Sequence, residues 1–468
     1  MNPMEIKVSI QANISIQNGK TNVNEILLAI GNWSKKVGLD VCKGVIENYQ
    51  KEIVTMLCNG QGETSWLRHE YKGSPGQICT GGSFHSGGTR NKERTIRTHM
   101  GELKVKMQQV VCGVCGKRFS VLLPLLKIPP RGKPTIKLQH MMAETVTDLS
   151  YRKGSSRIEG LAEVVIPKST LHRWMTTHNW EILMDKMHTE TNWKNFTGIM
   201  ADGTGYKRQD ADTTKGDLRL VFGVKDGPKK LIPLGAWADK SWEEIDKELL
   251  QKRPSDIQVP VLVVDGKDGQ ALENLTSATQ RCQWHIQNQL GYFLWKDKVD
   301  KQQRESLLEK LSGIIKIKLP KSDYQEISPE MQQQVQEKLK ESKKSIEDLI
   351  RSFHKKGYIA ASQYLRNALE HIFTVVEKWL EIGYMPPKVI SLLERVMREM
   401  GRRIKKIGAS WKEKGVIAIA HVLLTRIYTP EQWEQYWVKL LDIQNRCVVK
   451  SYHISFSVIS SCTIPGHY

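Results

Sequence analysis

The stretch Ile199-Met200-Ala201-Asp202-Gly203-Thr204-Gly205, read together with Val259-Pro260-Val261-Leu262-Val263-Val264-Asp265-Gly266, decides the fold. Each is an apolar run that ends in an aspartate followed at once by glycine. A buried strand that delivers an Asp at its tip puts a fixed negative charge where the backbone leaves the sheet. Around these two runs the pattern predicts strands over 197–201, 218–225, 230–236 and 259–264, with Asp226-Gly227 as the turn between the second and third. A helix is expected over 241–252. The result is a hairpin-containing sheet, then a helix and a returning strand, with Asp202 and Asp265 at the ends of two strands.

A third acid, Glu394, opens the stretch Glu394-Arg395-Val396-Met397-Arg398. Arg402, Arg403 and Lys405 follow, which fits a helix laid along phosphates. Glu370, Glu377 and Glu381 are competitors, yet no basic stripe follows them. Asp-Gly also begins ordinary turns, and helix N-termini attract Glu through their dipole. Two acids that both follow buried strands favour the catalytic reading. Hard oxygen ligands suit Mg²⁺ or Mn²⁺, and a two-metal site activates water while stabilising the leaving oxygen of a phosphodiester.

The balance of charge points the same way. Seventy Lys and Arg stand against fifty Asp and Glu in 468 residues, a net charge of +20, with a pI near 9.4. Such a chain favours a polyanionic partner and salt-sensitive binding. Hydrophobic residues make up 40%, enough for real cores, so disorder is excluded and about two to four domains are expected. No apolar stretch approaches the ~20 residues of a membrane span, and residues 1–11 lack the apolar core of a signal peptide. The expected location is the cytoplasm, in association with the nucleoid. Eight Cys form no disulfide framework, so Cys pairs are read as metal ligands in a reduced compartment.

Along the chain, residues 1–57 read as a helical arm with Ile26, Leu27, Ile30, Trp33 and Val37 on one face. Residues 58–130 read as a zinc-ribbon-like module. Its Gly-, Ser- and His-rich first part cannot build a core without help, and a strand-like run from Leu103 to Val111 leads into Cys112-Gly113-Val114-Cys115-Gly116. Cys-x-x-Cys-Gly is the turn in which two thiolates wrap a Zn²⁺. Cys79 is a further candidate thiol, and the missing ligands could come from Cys58, His69, His85 or His99, or the site is degraded. Pro129 to Pro134 mark a linker.

Residues 131–190 read as a helix-turn-helix, with helices near 136–149, 156–164 and 169–178. The third would present Thr170, His172 and Arg173 to a groove and bury Leu171 and Trp174. The sheet region spans 191–288, a helical insertion 289–385, and a return to the sheet region 386–430, whose last helix covers 416–428. A tail fills 431–468. The architecture is therefore a multidomain α/β chain with an all-helical insertion.

Taken in order, these motifs resemble a prokaryotic insertion-sequence transposase of the Mutator-like DDE superfamily. The resemblance rests on Thr95-Ile96-Arg97-Thr98 with Gly101-Glu102, the Cys-x-x-Cys strand, Leu149-Ser150-Tyr151, Ala201-Asp202-Gly203-Thr204 and Val264-Asp265-Gly266. It continues through Arg281-Cys282-Gln283-Trp284-His285 and Glu394 to Lys405 with Trp411. It implies an RNase H-like catalytic domain, catalytic Asp202, Asp265 and Glu394 holding Mg²⁺ (or Mn²⁺), and His285 as active-site support touching the scissile phosphate. It also implies a zinc-binding module and double-stranded DNA contacts through the third helix and through Arg395, Arg398, Arg402 and Lys405. The expected reaction is hydrolysis at element ends and transfer of the freed 3′-OH into target DNA by a homo-oligomer assembled on DNA. The rival readings are a domesticated, inactive DNA-binding regulator, which intact acids disfavour, and an RNase H-like nuclease.

Overall fold

The computed structural model describes residues 5–10, 12, 14, 22–61, 67–122, 126, 128, 133–209, 215–225, 230–254, 256–266, 272, 274–319, 328–383, 388, 390–443, 447 and 449. Its first element, α1 (Val23–Cys58), starts at a capping box: Asn22 Oδ1 accepts from the backbone of Asn24 and Glu25, and the Glu25 carboxylate accepts from Asn22 N–H. The apolar face read from the sequence is largely open to solvent at Leu27, Ile30 and Trp33. Burial begins instead at Gln50, Ile53, Val54 and Leu57, because only the last turns of the helix meet the strands. Periodicity fixes a stripe, not its partner.

Seven short strands follow: β1 (His69–Tyr71), β2 (Ser74–Cys79), β3 (Phe84–Thr89), β4 (Arg94–Thr98), β5 (Gly101–Val105), β6 (Gln108–Cys112) and β7 (Arg118–Ser120). They form a β1-β2 hairpin, a β3-β6-β7 sheet and a β4-β5 hairpin. The run from Leu103 to Val111 is thus two strands with a corner at Lys106 and Met107. Buried Gln50 of α1 accounts for the corner. Its amide donates to Lys106 O at 3.0 Å and accepts from Gln108 N–H at 3.2 Å, while Glu47 accepts from Lys106 N–H at 2.7 Å. Backbone groups taken out of the ladder are satisfied by side chains of the helix.

Three helices come next, α2 (Ile136–Asp148), α3 (Tyr151–Ala162) and α4 (Lys168–Thr177), then the short α5 (Glu181–Asp185) and α6 (Glu190–Lys194). The main sheet comprises β8 (Phe196–Lys207), β9 (Lys215–Lys225), β10 (Lys230–Ala238), β11 (Leu262–Val264) and β12 (Thr279–Arg281), in the order β10-β9-β8-β11-β12. The β10-β9-β8 ladder is antiparallel, and β11 lies parallel to both β8 and β12. β8 continues six residues past the expected end at Ala201, paired with β9 as far as Lys207↔Lys215. The β11 strand is shorter than expected, since Val259 makes only an isolated bridge to Thr276. The Asp226-Gly227 turn lies outside the described residues.

One sheet face is covered by α7 (Trp242–Lys252), begun by a Ser241–Glu244 capping box and buried through Trp242, Ile245 and Leu249. The other face packs Met200, Leu220 and Phe222 against the C-terminal helices. Between the two parts lies a helical block with its own core around Leu290, Leu311, Phe353, Leu365 and Trp379. Its helices are α8 (Gln283–Lys296), α9 (Lys301–Ile315), α10 (Pro329–Lys355), α11 (Ile359–Ile372) and α12 (Thr374–Ile382). The chain returns through α13 (Ser391–Ile404), α14 (Glu413–Tyr428) and α15 (Pro430–Leu441). The last corrects the expectation of a tail from 431. Pro430 suits a first helical position, and Trp433, Tyr436 and Trp437 are buried in the main core. From 444 onward the chain lies almost wholly outside the described residues. Among the described residues no helix is long and apolar enough to cross a membrane.

Candidate active site and a Cys3His cluster

Asp202 does not end its strand. It sits within β8, opposite Leu220 of β9, and its Oδ1 accepts from Gly203 N–H at 2.8 Å. On the other side of β8 the parallel ladder stops at Ile199↔Leu262 and Met200↔Val263. Continuing that register by two residues brings Asp202 level with Asp265, the first residue past β11. Neighbouring strands run about 4.8 Å apart, so the two half-buried aspartates occupy adjacent places just past the end of the parallel β8-β11 ladder, in the middle of the sheet. Gly266 has φ +120°, and a Cβ there would run into the Arg281 guanidinium at the end of β12. Only glycine lets the chain turn beneath Arg281 at this point.

Glu394 lies in the first turn of α13. Leu393, Val396 and Met400 bury the other side of the helix in the core that contains Met200 of β8, which leaves Glu394 half-buried on the side away from that core. Its Oε1 stands 3.7 Å from His285 Nε2 on α8. The opposite ring nitrogen, Nδ1, is buried without a hydrogen bond, and the Trp284 indole meets the ring edge-on at 4.8 Å. Cys282, three residues before His285, is buried, which pushes its thiol up, and its Sγ accepts from Ile390 N–H at 3.5 Å. The oxygens of Asp202, Asp265 and Glu394 do not all lie within 4.8 Å of one another.

The thiols expected to bind metal do converge. The β1-β2 register sets His69 beside Cys79, and the Cys112–Gly116 turn, closed by Gly116 N–H to Cys112 O at 2.8 Å, brings up the other two. His69 Nε2 lies 3.2 Å from Cys115 Sγ, Cys79 Sγ lies 3.9 Å from Cys112 Sγ, and the four ligand atoms are all within 4.8 Å of one another. Tetrahedral Zn²⁺ with bonds of about 2.3 Å would separate sulfurs by a little under 4 Å, so the donor set fits that ion. Of the residues that the sequence offered to complete the set, His69 is the one that joins the three cysteines in this cluster. Its Nδ1–H donates to Leu67 O at 2.8 Å, which turns Nε2 towards the thiols. Burial would raise the Cys115 thiol, but the Lys117 backbone N–H, His69 and Cys112 outweigh it and bring it down to about 6.

The expected DNA-facing residues divide. His172 and Arg173 are exposed on α4, Thr170 is half-buried and Leu171 is buried. Trp174, expected inside, is only half-buried, edge-on to Trp180 at 5.5 Å. On α13, Arg395, Arg398, Arg402 and Lys405 are all exposed at intervals of three and four residues, one continuous face. Arg403, read from sequence as part of that stripe, is buried. Its guanidinium stands 4.8 Å from the Trp411 ring and 5.6 Å from that of Tyr151, and Nε–H donates to Val146 O at 2.8 Å. Tyr151 also meets His172 at 5.2 Å, so packed aromatic rings connect α4 with the helix that carries Glu394.

No family model matches this chain, and no curated protein matches it. Among solved structures it is similar to the Drosophila P element transposase strand transfer complex, with 11% identity and a TM-score of 0.39 over 66% of this chain and 96% of that one.

Proposed function

We propose that this chain is a DDE-type DNA transposase whose catalytic acids are Asp202, Asp265 and Glu394. The observation that carries the reading is the parallel β8-β11 register, which sets Asp202 level with Asp265 just past the end of that ladder. Support comes from the strand order β10-β9-β8-β11-β12, three antiparallel strands followed by two parallel ones, which is that of an RNase H-like sheet. Bound Mg²⁺ or Mn²⁺ would activate water and stabilise the leaving 3′ oxygen.

The remaining roles fall to the chain's own groups. His285 holds the Glu394 carboxylate in place and lies where a scissile phosphate would pass. Arg395, Arg398, Arg402 and Lys405 track phosphates beside the acids. The exposed His172 and Arg173 of α4 read the major groove. His69, Cys79, Cys112 and Cys115 hold a structural Zn²⁺ that orders the N-terminal strands. Assembly on element ends as a homo-oligomer completes the reading.

The test incubates the full chain with Mg²⁺ and DNA carrying the flanks of its own coding sequence. Nicks at the element ends and joined products are expected, both absent with Asp265→Asn. DNA that is bound but never cut by the wild-type chain would overturn the enzyme reading and leave a DNA-binding regulator.

A further inference from the structure

We infer a further metal site, formed by His140 and Glu144 of α2 and Glu434 of α15, for a divalent first-row transition ion. His140 Nε2 and one carboxylate oxygen from each glutamate lie within 4.8 Å of one another. Glu434 is exposed and Glu144 half-buried, but His140 is only 6% exposed. Its Nε2 is buried, and its nearest partner is the Glu144 carboxylate, whose Oε1 stands 3.4 Å away, outside good hydrogen-bond geometry but close enough to hold the Glu144 carboxyl below its usual range. A buried ring nitrogen whose one contact is a long approach to a carboxylate is placed so that an ion between the two could bind both.

The surroundings fix that aim. The ring lies flat on Trp437, centroids 4.8 Å apart and planes 15° apart, and meets Trp433 edge-on at 5.6 Å. Glu144 follows one turn along α2, on the same helix face. Glu434 is carried beside these same two tryptophans, whose burial anchors α15. One imidazole and two carboxylates make a borderline donor set that suits Zn²⁺, Mn²⁺, Fe²⁺ or Co²⁺ better than Mg²⁺ or Ca²⁺. Three protein ligands leave a position for water. Such an ion would tie α15 to the first helix of the three-helix region.

The experiment titrates Co²⁺ into the chelator-stripped full chain and follows tryptophan emission and unfolding temperature. Because Trp433 and Trp437 flank the ligand ring, a paramagnetic ion on Nε2 quenches them. A saturable quench and a rise of several degrees in unfolding temperature are expected in the wild type. Glu144→Gln and Glu434→Gln, which keep the side chain's size and remove only the carboxylate, should each raise the Co²⁺ midpoint roughly ten-fold or more. Both should keep the thiolate-to-cobalt band of the Cys3His cluster, and Cys112→Ser should lose that band but keep the quench. Equal midpoints in the wild type and both variants would overturn the site, since an ordinary His140–Glu144 ion pair predicts no role for Glu434. So would a quench that disappears with Cys112→Ser.

Discussion

His285 Nε2 stands 3.7 Å from Glu394 Oε1, joining the helix that leaves β12 to the helix that returns from the helical block. On the proposed reading His285 acts through Glu394 as well as on substrate. His285→Ala should lower strand cleavage by about 10- to 100-fold, the usual cost of losing a group that orients a metal-binding carboxylate, while DNA binding stays within error. Single-turnover cleavage and a filter-binding assay on the same preparation separate the two effects. A loss confined to binding would remove His285 from the site.

The three acids should behave as one unit. Asp202→Asn, Asp265→Asn and Glu394→Gln should each reduce cleavage and joining by roughly 10³-fold or more, and double variants should look no worse than the singles. DNA binding survives, because removing negative charge near phosphate does not weaken contact. Glu377→Gln is the control, since that carboxylate pairs with Lys343 of the helical block at 2.5 Å. An active Glu394→Gln would reassign the third acid.

In the N-terminal region, His69→Ala, Cys112→Ser and Cys115→Ser should each release one Zn²⁺ per chain, read by metal analysis. Amide exchange should rise over residues 67–122 and stay unchanged in β8 to β12, since structural zinc supplies local folding free energy. Zinc retained in all three variants would assign it elsewhere.

Acid should loosen the main sheet. Burial lowers both His188 and His421 to about 4, and each ring contacts β10, His188 at Leu234 O (2.9 Å) and His421 at Ala236. In the unfolded chain both titrate near 6.5. Between pH 6.5 and 4 the unfolded state therefore binds more protons, and stability falls as pH falls through that window. It is fully present above 6.5. The loss is roughly 3 kcal/mol per histidine. Denaturant unfolding across this range should show the slope, and His421→Gln should flatten it; an unchanged slope would exclude His421 as its source.

Binding to DNA should weaken steeply with salt, with each of Arg395, Arg398, Arg402 and Lys405 contributing about one unit of the log–log slope if it meets a phosphate. Arg173→Ala, by contrast, should cost about 1–3 kcal/mol on specific ends and less on random DNA. Equal losses on both would make α4 a backbone contact.

Much of the sheet was legible because its strands are continuous apolar runs punctuated by glycine, and the helical block because its periodicity is regular. The misreadings have physical causes. Asp202-Gly203 looked like a strand end, yet β9 is long enough to keep β8 paired to Lys207. β12 is a three-residue strand, too short for any pattern. Arg403 carries the same charge as its neighbours, and only the helix phase against Tyr151 and Trp411 turns it inward. His69 was one of several candidates because hairpin register, not sequence spacing, sets it beside Cys79.

The helical block enters and leaves the sheet domain at one crossing. Gln283 N–H donates to Lys388 O at 3.3 Å, and Ile390 N–H to Cys282 Sγ at 3.5 Å. The block is held a second time along β12, where the Thr374 hydroxyl donates to Thr279 O at 2.8 Å and Val375 N–H donates to Gln280 Oε1 at 2.9 Å. The two chain segments that carry His285 and Glu394 are therefore clamped to each other by backbone and core contacts, so the spacing of that pair is inherited from the scaffold and does not have to be made by the side chains themselves.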